Sequence, residues 1–334
     1  MRPLSCSKPK LLFPIVGVPL VESMVRWLSS GGVDEVILAV NHLSDRLKIE
    51  VGRTLADVEM MFSVEEKPLG TAGPVRLAAG LLRKDKPFLV TNGDIVSNID
   101  VSGMLARHVE KNADATIALV SVPDPSPFGA VVTDSTGLVR KFEEKSGVPS
   151  VTNLVNAGVY VLSPDVIDSI PTVGSASLER DVFPRLAQSG KMQAWIHDGF
   201  WYDIGRIPDY IRANKELLEM QDLKSRDRVD EWQSEERIVR PAYLGTKSHL
   251  GADAKVGPRT ILSNNVIVGE GSIVRDSIIF EETEIGKRTL VEDAVVGEKV
   301  VIGKDSRIGR GSIIAGQLTI PAGSVVSPNS VLLC

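Results

Sequence analysis

With 334 residues the chain is long for one hydrophobic core, and size alone suggests roughly two domains. Its 43 Asp and Glu against 38 Lys and Arg leave a net charge of -5, with both signs interspersed, which is not the footprint of a nucleic-acid binder. Hydrophobic residues reach 43%, yet no window approaches the roughly 18 apolar residues of a membrane helix; with no leader-like start and only Cys6 and Cys334, a cytoplasmic protein without disulfides or a cysteine zinc site is expected.

Met1 to Lys10 holds two prolines, two serines and alternating cations, the composition of a loop. Val18 to Ser30 reads as an amphipathic helix with Pro19 in its first turn, ended by Gly31-Gly32. Val36 to Val40 follows as a buried parallel strand. Phe62 to Val64 is a short strand running into Glu65-Glu66-Lys67-Pro68-Leu69-Gly70-Thr71-Ala72-Gly73-Pro74. That segment predicts a tight loop before a helix, where backbone N–H groups can approach a base or a phosphate. Ordinary strand-to-helix turns share the pattern.

Thr71 to Leu82 carries small and apolar residues at helical spacing. Phe88 to Val90 then switches to a continuous apolar run, a buried strand delivering Asp94 to the carboxyl edge of a sheet, where ligands of open α/β sheets gather. Asp94 there suits a metal or a sugar hydroxyl; a turn or helix cap is the plainer alternative. A helix at Val101 to Glu110, a strand at Ala115 to Val120 and a hairpin from Phe128 to Phe142 turning on Asp134-Ser135-Thr136-Gly137 come next. Glu143-Glu144-Lys145 sets carboxylates beside an amine, or forms a solvated strand end. Asn156 to Leu162 is a strand opened by an amide and a glycine able to hydrogen-bond a polyol. A helix starts at Pro164, a second isolated carboxylate is Asp203 in Trp201 to Arg206, and a helix spans Pro208 to Met220.

From Leu244 an aliphatic residue returns every sixth position: Leu244, Leu250, Val256, Leu262, Val268, Val274 and Phe280. After the loss of one residue come Ile285 and Val291, and after another Val296, Ile302, Ile308, Ile314, Ile320, Val326 and Leu332. Glycines follow many of these at corners. Such a period predicts a left-handed parallel β-helix of about five triangular coils. The polar, charge-dense stretch before it is the connection, which gives domains at 1–214 and 244–334 joined by 215–243. Open coil ends and flat faces suit self-association. His249, the lone histidine of the coil, leaves a hexapeptide acyltransferase as an alternative.

Taken together, Leu4 to Pro14 with its Lys-Pro-Lys, Gly70-Thr71-Ala72-Gly73, Asn92-Gly93-Asp94, Phe128-Gly129-Ala130-Val131-Val132, Phe142-Glu143-Glu144-Lys145, Asn156-Ala157-Gly158-Val159-Tyr160 and Trp201-Tyr202-Asp203-Ile204-Gly205-Arg206 resemble, in order and spacing, the sugar-1-phosphate nucleotidylyltransferases. The 65–74 segment and Ser177-Leu178-Glu179-Arg180-Asp181-Val182-Phe183-Pro184 are similar to the mannose-1-phosphate guanylyltransferase branch. The resemblance implies a Rossmann-like nucleotidyltransferase domain with a mixed, mostly parallel sheet, followed by the β-helix that two-domain members carry. It also implies magnesium, with GTP and mannose 1-phosphate as partners and a homo-oligomer formed through the coil. Glucose-1-phosphate thymidylyl- or uridylyltransferase remains an alternative, as does an impaired regulatory paralogue that binds nucleotide sugar.

By that resemblance Asp94 and Asp203 hold the metal, while Lys10, with Arg2 beside it, neutralises the triphosphate. Glu65, Gly70 and Thr71 read the base. Lys145 holds the sugar phosphate, Glu144, Asn156 and Gly158 bind its hydroxyls, and Gly129 lets the ring approach the backbone. The family's opening strand and its Gly-Gly-x-Gly-Thr-Arg-Leu phosphate loop are not in this sequence, which starts at the residues that follow them. Two expectations go with this: a natural chain that is longer at its N-terminus, or a vacant interior strand position with weakened triphosphate binding and reduced activity.

Overall fold

The computed structural model describes residues 1–40, 45–54, 58–143, 151–225 and 237–333. Contacts group the chain into two compact units, Met24–Trp201 and a discontinuous one made of Met1–Ser23 with Tyr202–Cys334. Boundaries at 215–243 follow motif and repeat; packing groups the N-terminal segment with the coil instead.

In chain order the elements are β1 (Pro14–Ile15), β2 (Val18–Pro19), α1 (Leu20–Ser30), β3 (Glu35–Val40), α2 (Asp45–Thr54), β4 (Glu59–Val64), α3 (Gly73–Leu77), β5 (Phe88–Thr91), β6 (Ile95–Ser97), α4 (Val101–Glu110), β7 (Ala115–Ser121), β8 (Ala130–Thr133), β9 (Val139–Glu143), β10 (Leu154–Leu162), α5 (Phe183–Gln188), β11 (Met192–His197), β12 (Trp201–Asp203) and α6 (Ile207–Ser225). The opening segment is less irregular than its composition predicts, with single 3-10 turns at Leu4–Cys6 and Lys10–Leu12. Pro19 belongs to β2, which pairs with β1, and not to the helix. The helical run expected from Thr71 is α3 followed by a 3-10 turn, Ala78–Gly80.

In Met24–Trp201, β7 pairs parallel with β11 and antiparallel with β10, and β10 also runs antiparallel to β5 and β8, with β9 closing the β8 hairpin. Thus β5, β7, β8 and β11 run one way and β9 and β10 the other. Because side chains alternate across a strand, Ile117, Leu119, Tyr160 and Leu162 face a core shared with Leu178, Val182 and Phe183. Ala118, Val120, Val159 and Val161 face the opposite core with Ile99, Met104 and Trp195. Each fully buried large apolar side chain contributes about 1.5–3 kcal/mol, so β7 and β10, buried on both faces, anchor the unit. Asp100 caps α4 by accepting from Gly103 N at 2.9 Å.

β3 and β4 form a parallel sheet of their own, and among the described residues no strand joins β3 to β5. Both were expected to be buried; β5 and most of β3 are half-buried instead. An edge position explains this, since a strand with one partner leaves the other side of its backbone open.

In the other unit, three parallel ladders of six, five and five strands build the β-helix. Its interior holds Leu244, Leu250, Val256, Leu262, Val268, Val274, Ile279, Ile285, Val291, Val296, Ile302, Ile308, Ile314, Ile320, Val326 and Leu332. The first shortening of the repeat therefore falls between Val274 and Ile279, one step earlier than the sequence pattern suggests. Phe280 is the residue displaced by that correction. It lies outside the coil, 1% exposed, edge-on to Phe13 at 5.4 Å and to Tyr210 of α6 at 6.3 Å. At the corners close backbone approach excludes side chains, as at Gly303, where a Cβ would sit 2.3 Å from the Ala322 backbone.

The segment Met1–Ser23 runs along this coil from its late turns back to its first. Ser7 lies against Gly316, Lys8 pairs with Glu281 and Glu298, Phe13 meets Phe280, and Gly17 meets Tyr243. α6 fastens the same segment through the Tyr210 hydroxyl, which donates to Pro14 O at 2.6 Å, and the Asn214 amide oxygen, which accepts from Val16 N at 2.8 Å. A Cβ on Gly17 would lie 1.9 Å from the Tyr243 ring, so only glycine fits there.

Candidate active site

The loop after β4 is sewn to the segment before α5. Gly70 has φ +80, and a Cβ on it would fall 2.3 Å from Ala176 O. Ala72 N donates to Ala176 O at 2.9 Å, and Ala176 N to Leu69 O at 2.9 Å. Glu65 turns its carboxylate back on its own loop, accepting from Leu69 N at 3.1 Å. The Thr71 hydroxyl accepts from Leu178 N at 2.9 Å and donates to Glu179 Oε2 at 2.7 Å.

From Glu179 the network crosses to β10. Ser177 donates to Glu179 Oε2 at 2.8 Å, and the Tyr160 hydroxyl donates to Oε1 at 3.1 Å while accepting from Asn156 Nδ2 at 2.8 Å. Burial, reinforced by the neighbouring Glu179 carboxylate, pushes the Tyr160 phenol well above its ordinary range, so it stays a donor. Asn156 Oδ1 accepts from Gly158 N at 2.9 Å, and Asn156 N donates to Gly129 O at 3.2 Å. Gly158 has φ +74 at a bulge in β10, and its carbonyl accepts from Asn92 N at 2.8 Å. One polar chain thus joins Thr71, Glu179, Tyr160, Asn156, Gly158 and the Asn92-Gly93-Asp94 loop at the end of β5, with Gly129 alongside.

Asp94 is half-buried beyond that strand end, and Asp203 is half-buried at the end of β12, its Oδ1 accepting from Gly205 N at 2.9 Å. Trp201, on the same strand, donates to Ala157 O at 2.8 Å. Arg2, Lys10 and Asp203 belong to the unit containing the coil; Glu65, Gly70, Thr71, Asp94, Gly129, Asn156 and Gly158 belong to Met24–Trp201. Glu144 and Lys145 lie outside the described residues.

A hard divalent cation takes one or two carboxylates and completes its shell with water and phosphate oxygens. Asp94 and Asp203 have that donor chemistry, and among the described residues no group of three or more His, Cys, Asp or Glu gathers as an alternative. Glu179, Ser177 and Tyr160 are functional candidates that the motifs quoted above contain without marking out. A serine is also a common helix N-cap, and Ser177 does accept from Arg180 N at 3.3 Å, so the residue type alone does not separate cap from site. His249 is exposed on a coil strand, and no described helix is long and apolar enough to cross a membrane.

The sequence model of the nucleotidyl transferase family, "Nucleotidyl transferase", matches residues 1–220, and that of the "GMPPB C-terminal domain" matches residues 238–333. The chain belongs to the nucleotidyl transferase family. Mannose-1-phosphate guanylyltransferase 1 of Arabidopsis thaliana is 34% identical over 276 residues, covering 81% of this chain and 75% of that protein. Mannose-1-phosphate guanylyltransferase of Mycobacterium tuberculosis is 34% identical over 274 residues, covering 80% and 76%. Among solved structures, HddC from Yersinia pseudotuberculosis complexed with GMP-PN matches with a TM-score of 0.56 at 26% identity, covering 65% of this chain and 93% of that one. As a nucleotidyl transferase, the chain has its family match running through every segment of the polar network.

Proposed function

We propose that the chain transfers a guanylyl group from GTP to mannose 1-phosphate, giving GDP-mannose and pyrophosphate. The observation that carries this reading is the continuous hydrogen-bonded path from Thr71 through Glu179, Tyr160 and Asn156 to Gly158 and Asn92, which couples a base-reading loop to a sugar-binding strand. The named relatives support the choice of substrates.

Two polyanions must meet at one phosphorus, so catalysis is mainly charge neutralisation and in-line positioning. A mannose 1-phosphate oxygen attacks the α-phosphorus of GTP; the new P–O bond forms as the bond to the bridging oxygen of pyrophosphate breaks. Lys10, with Arg2, neutralises the triphosphate. Gly70 and Thr71 present the loop to the base, with Glu65 as acceptor for the donor groups of guanine. Asn156 and Gly158 hold the sugar hydroxyls, Glu144 and Lys145 hold the sugar and its phosphate, and Gly129 leaves room for the ring. Asp94 and Asp203 would hold a magnesium ion, which supplies Lewis-acid neutralisation of phosphate charge. The coil serves self-association through its outer faces, where Ile267 and Val301 are exposed on one ladder.

Asp94→Asn and Asp203→Asn should each abolish magnesium-dependent pyrophosphate release while the circular-dichroism spectrum is kept, because a lost metal ligand removes several kcal/mol of transition-state stabilisation. Wild-type rates from both variants contradict the metal assignment.

A further inference from the structure

Lys8 is nearly buried, its side chain 6% exposed, in ion pairs with Glu281 and with Glu298, whose Oε2 is 3.6 Å away and whose side chain is fully buried. The two carboxylates occupy equivalent corners of successive coils, each two residues beyond the paired Ile279 and Val296. Buried charges demand strict geometry, since their desolvation is offset only when partners are correctly placed. An apolar contact such as Phe13 on Phe280 adds adhesion and tolerates sliding; a nearly buried lysine between the half-buried Glu281 and the fully buried Glu298 fixes register.

What lies in register with Lys8 is Lys10. Pro9 separates them, its ring locking φ at -56. Lys10 opens a 3-10 turn closed by Leu12 N to Pro9 O and Phe13 N to Lys10 O, both at 2.9 Å. On the other side, a Cβ on Gly316 would fall 2.3 Å from Ser7 Oγ, so the segment rests directly on the coil backbone. Ser7 and Lys8 are held by the coil, and a stiff two-residue arm carries the next lysine.

We propose that Glu281 and Glu298 of the β-helix are positioning residues for nucleotidyl transfer, acting through Lys8 to set the place of Lys10. This rests on the reading of Lys10 as the lysine that neutralises the triphosphate, and it gives the coil a part in turnover besides self-association. A displacement of about 1 Å at a reacting centre costs on the order of a hundredfold in rate, so a cation released from its register is felt at the nucleotide and not at the sugar.

The test is steady-state kinetics of the full chain with GTP, mannose 1-phosphate and magnesium, for Lys8→Met, Lys8→Arg, Glu298→Gln and the reference Lys10→Ala, together with hydrogen exchange over residues 4–13. Lys8→Met and Glu298→Gln are expected to lower kcat/KM for GTP about a hundredfold with the KM for mannose 1-phosphate unchanged. Exchange should quicken in the segment and stay slow in the coil, and Lys8→Arg, which keeps the charge, should recover most of the turnover. Should Lys8→Met not fold, the isosteric Glu298→Gln carries the test. Full turnover per folded molecule in Lys8→Met and Glu298→Gln, beside an inactive Lys10→Ala, overturns the inference alone. Full turnover by Lys10→Ala overturns the reading of Lys10 and the inference with it.

Discussion

Tyr160 donates its hydroxyl proton to Glu179 at 3.1 Å, so a fully buried phenol on the central strand β10 is held by a carboxylate that also takes the Thr71 hydroxyl at 2.7 Å. The sheet and the loop after β4 are thereby one hydrogen-bonded body, with Glu179 as the shared acceptor.

Replacing Glu179 by Ala should therefore destabilise the fold by about 1–3 kcal/mol, the cost of leaving a buried donor without its partner. The same change should raise the KM for both substrates, since Thr71 and Asn156 lose their common support. Glu179→Gln, which keeps one acceptor, should do less. Urea denaturation and initial rates check this; a Glu179→Ala protein with unaltered stability and kinetics contradicts the shared-acceptor account.

His108 supplies a pH dependence. Its ring is 2% exposed, with Nδ1 3.0 Å from Thr116 Oγ1 and Nε2 3.1 Å from Ser163 Oγ. Ser163 spends its own proton on Ala113 O at 2.9 Å, so Nε2 donates to it, and in the neutral ring that burial favours Nδ1 is the acceptor facing Thr116. Burial lowers its pKa, and the Asp114 carboxylate opposes that in part. Above about pH 6.5, the ordinary value, both folded and unfolded states hold it neutral and stability is flat. Below it the unfolded chain takes up the proton first, so stability falls as pH drops toward the lowered folded-state value, by at most about 1.4 kcal/mol per pH unit. Denaturation midpoints of the wild type and His108→Gln between pH 8 and 5 should diverge in slope on the acid side; parallel curves contradict the assignment.

Phe280→Ala should cost about 3–5 kcal/mol, as for large-to-small changes at well-packed sites. Because Phe280 lies outside the coil, hydrogen exchange should quicken around Phe13 and Tyr210 and stay slow at the ladder amides. Loss of protection throughout the coil ladders, with the segment unaffected, contradicts its external position.

Much of this architecture is legible in the sequence. The six-residue return of aliphatic residues gives the coil, since each inward position repeats with the backbone, and the apolar run from Phe88 gives the strand that leads to Asp94. Phe280 misleads because an aromatic at the sixth position satisfies the count equally well, and only the packing of Phe13 shows which way it faces. α2 carries no clear pattern, as its described buried side chains are only Leu47 and Val51. β11 is weak too, its alternation broken by exposed Ile196. The docking of Met1–Ser23 on the coil is beyond periodicity altogether, because it depends on pairs such as Lys8 and Glu281 that are far apart in sequence. A cut after Arg240, which the repeat makes look harmless, removes the coil residues that meet Lys8, Phe13 and Gly17 and leaves Phe13 only Tyr210.

Guanylyl transfer itself can be followed by phosphorus NMR of the full chain with GTP, mannose 1-phosphate and magnesium. GDP-mannose and pyrophosphate should appear in equal amounts, dependent on both substrates and lost when Asp94 is replaced by Asn. Unchanged GTP, or pyrophosphate formed only from another nucleoside triphosphate and another sugar phosphate, would contradict it.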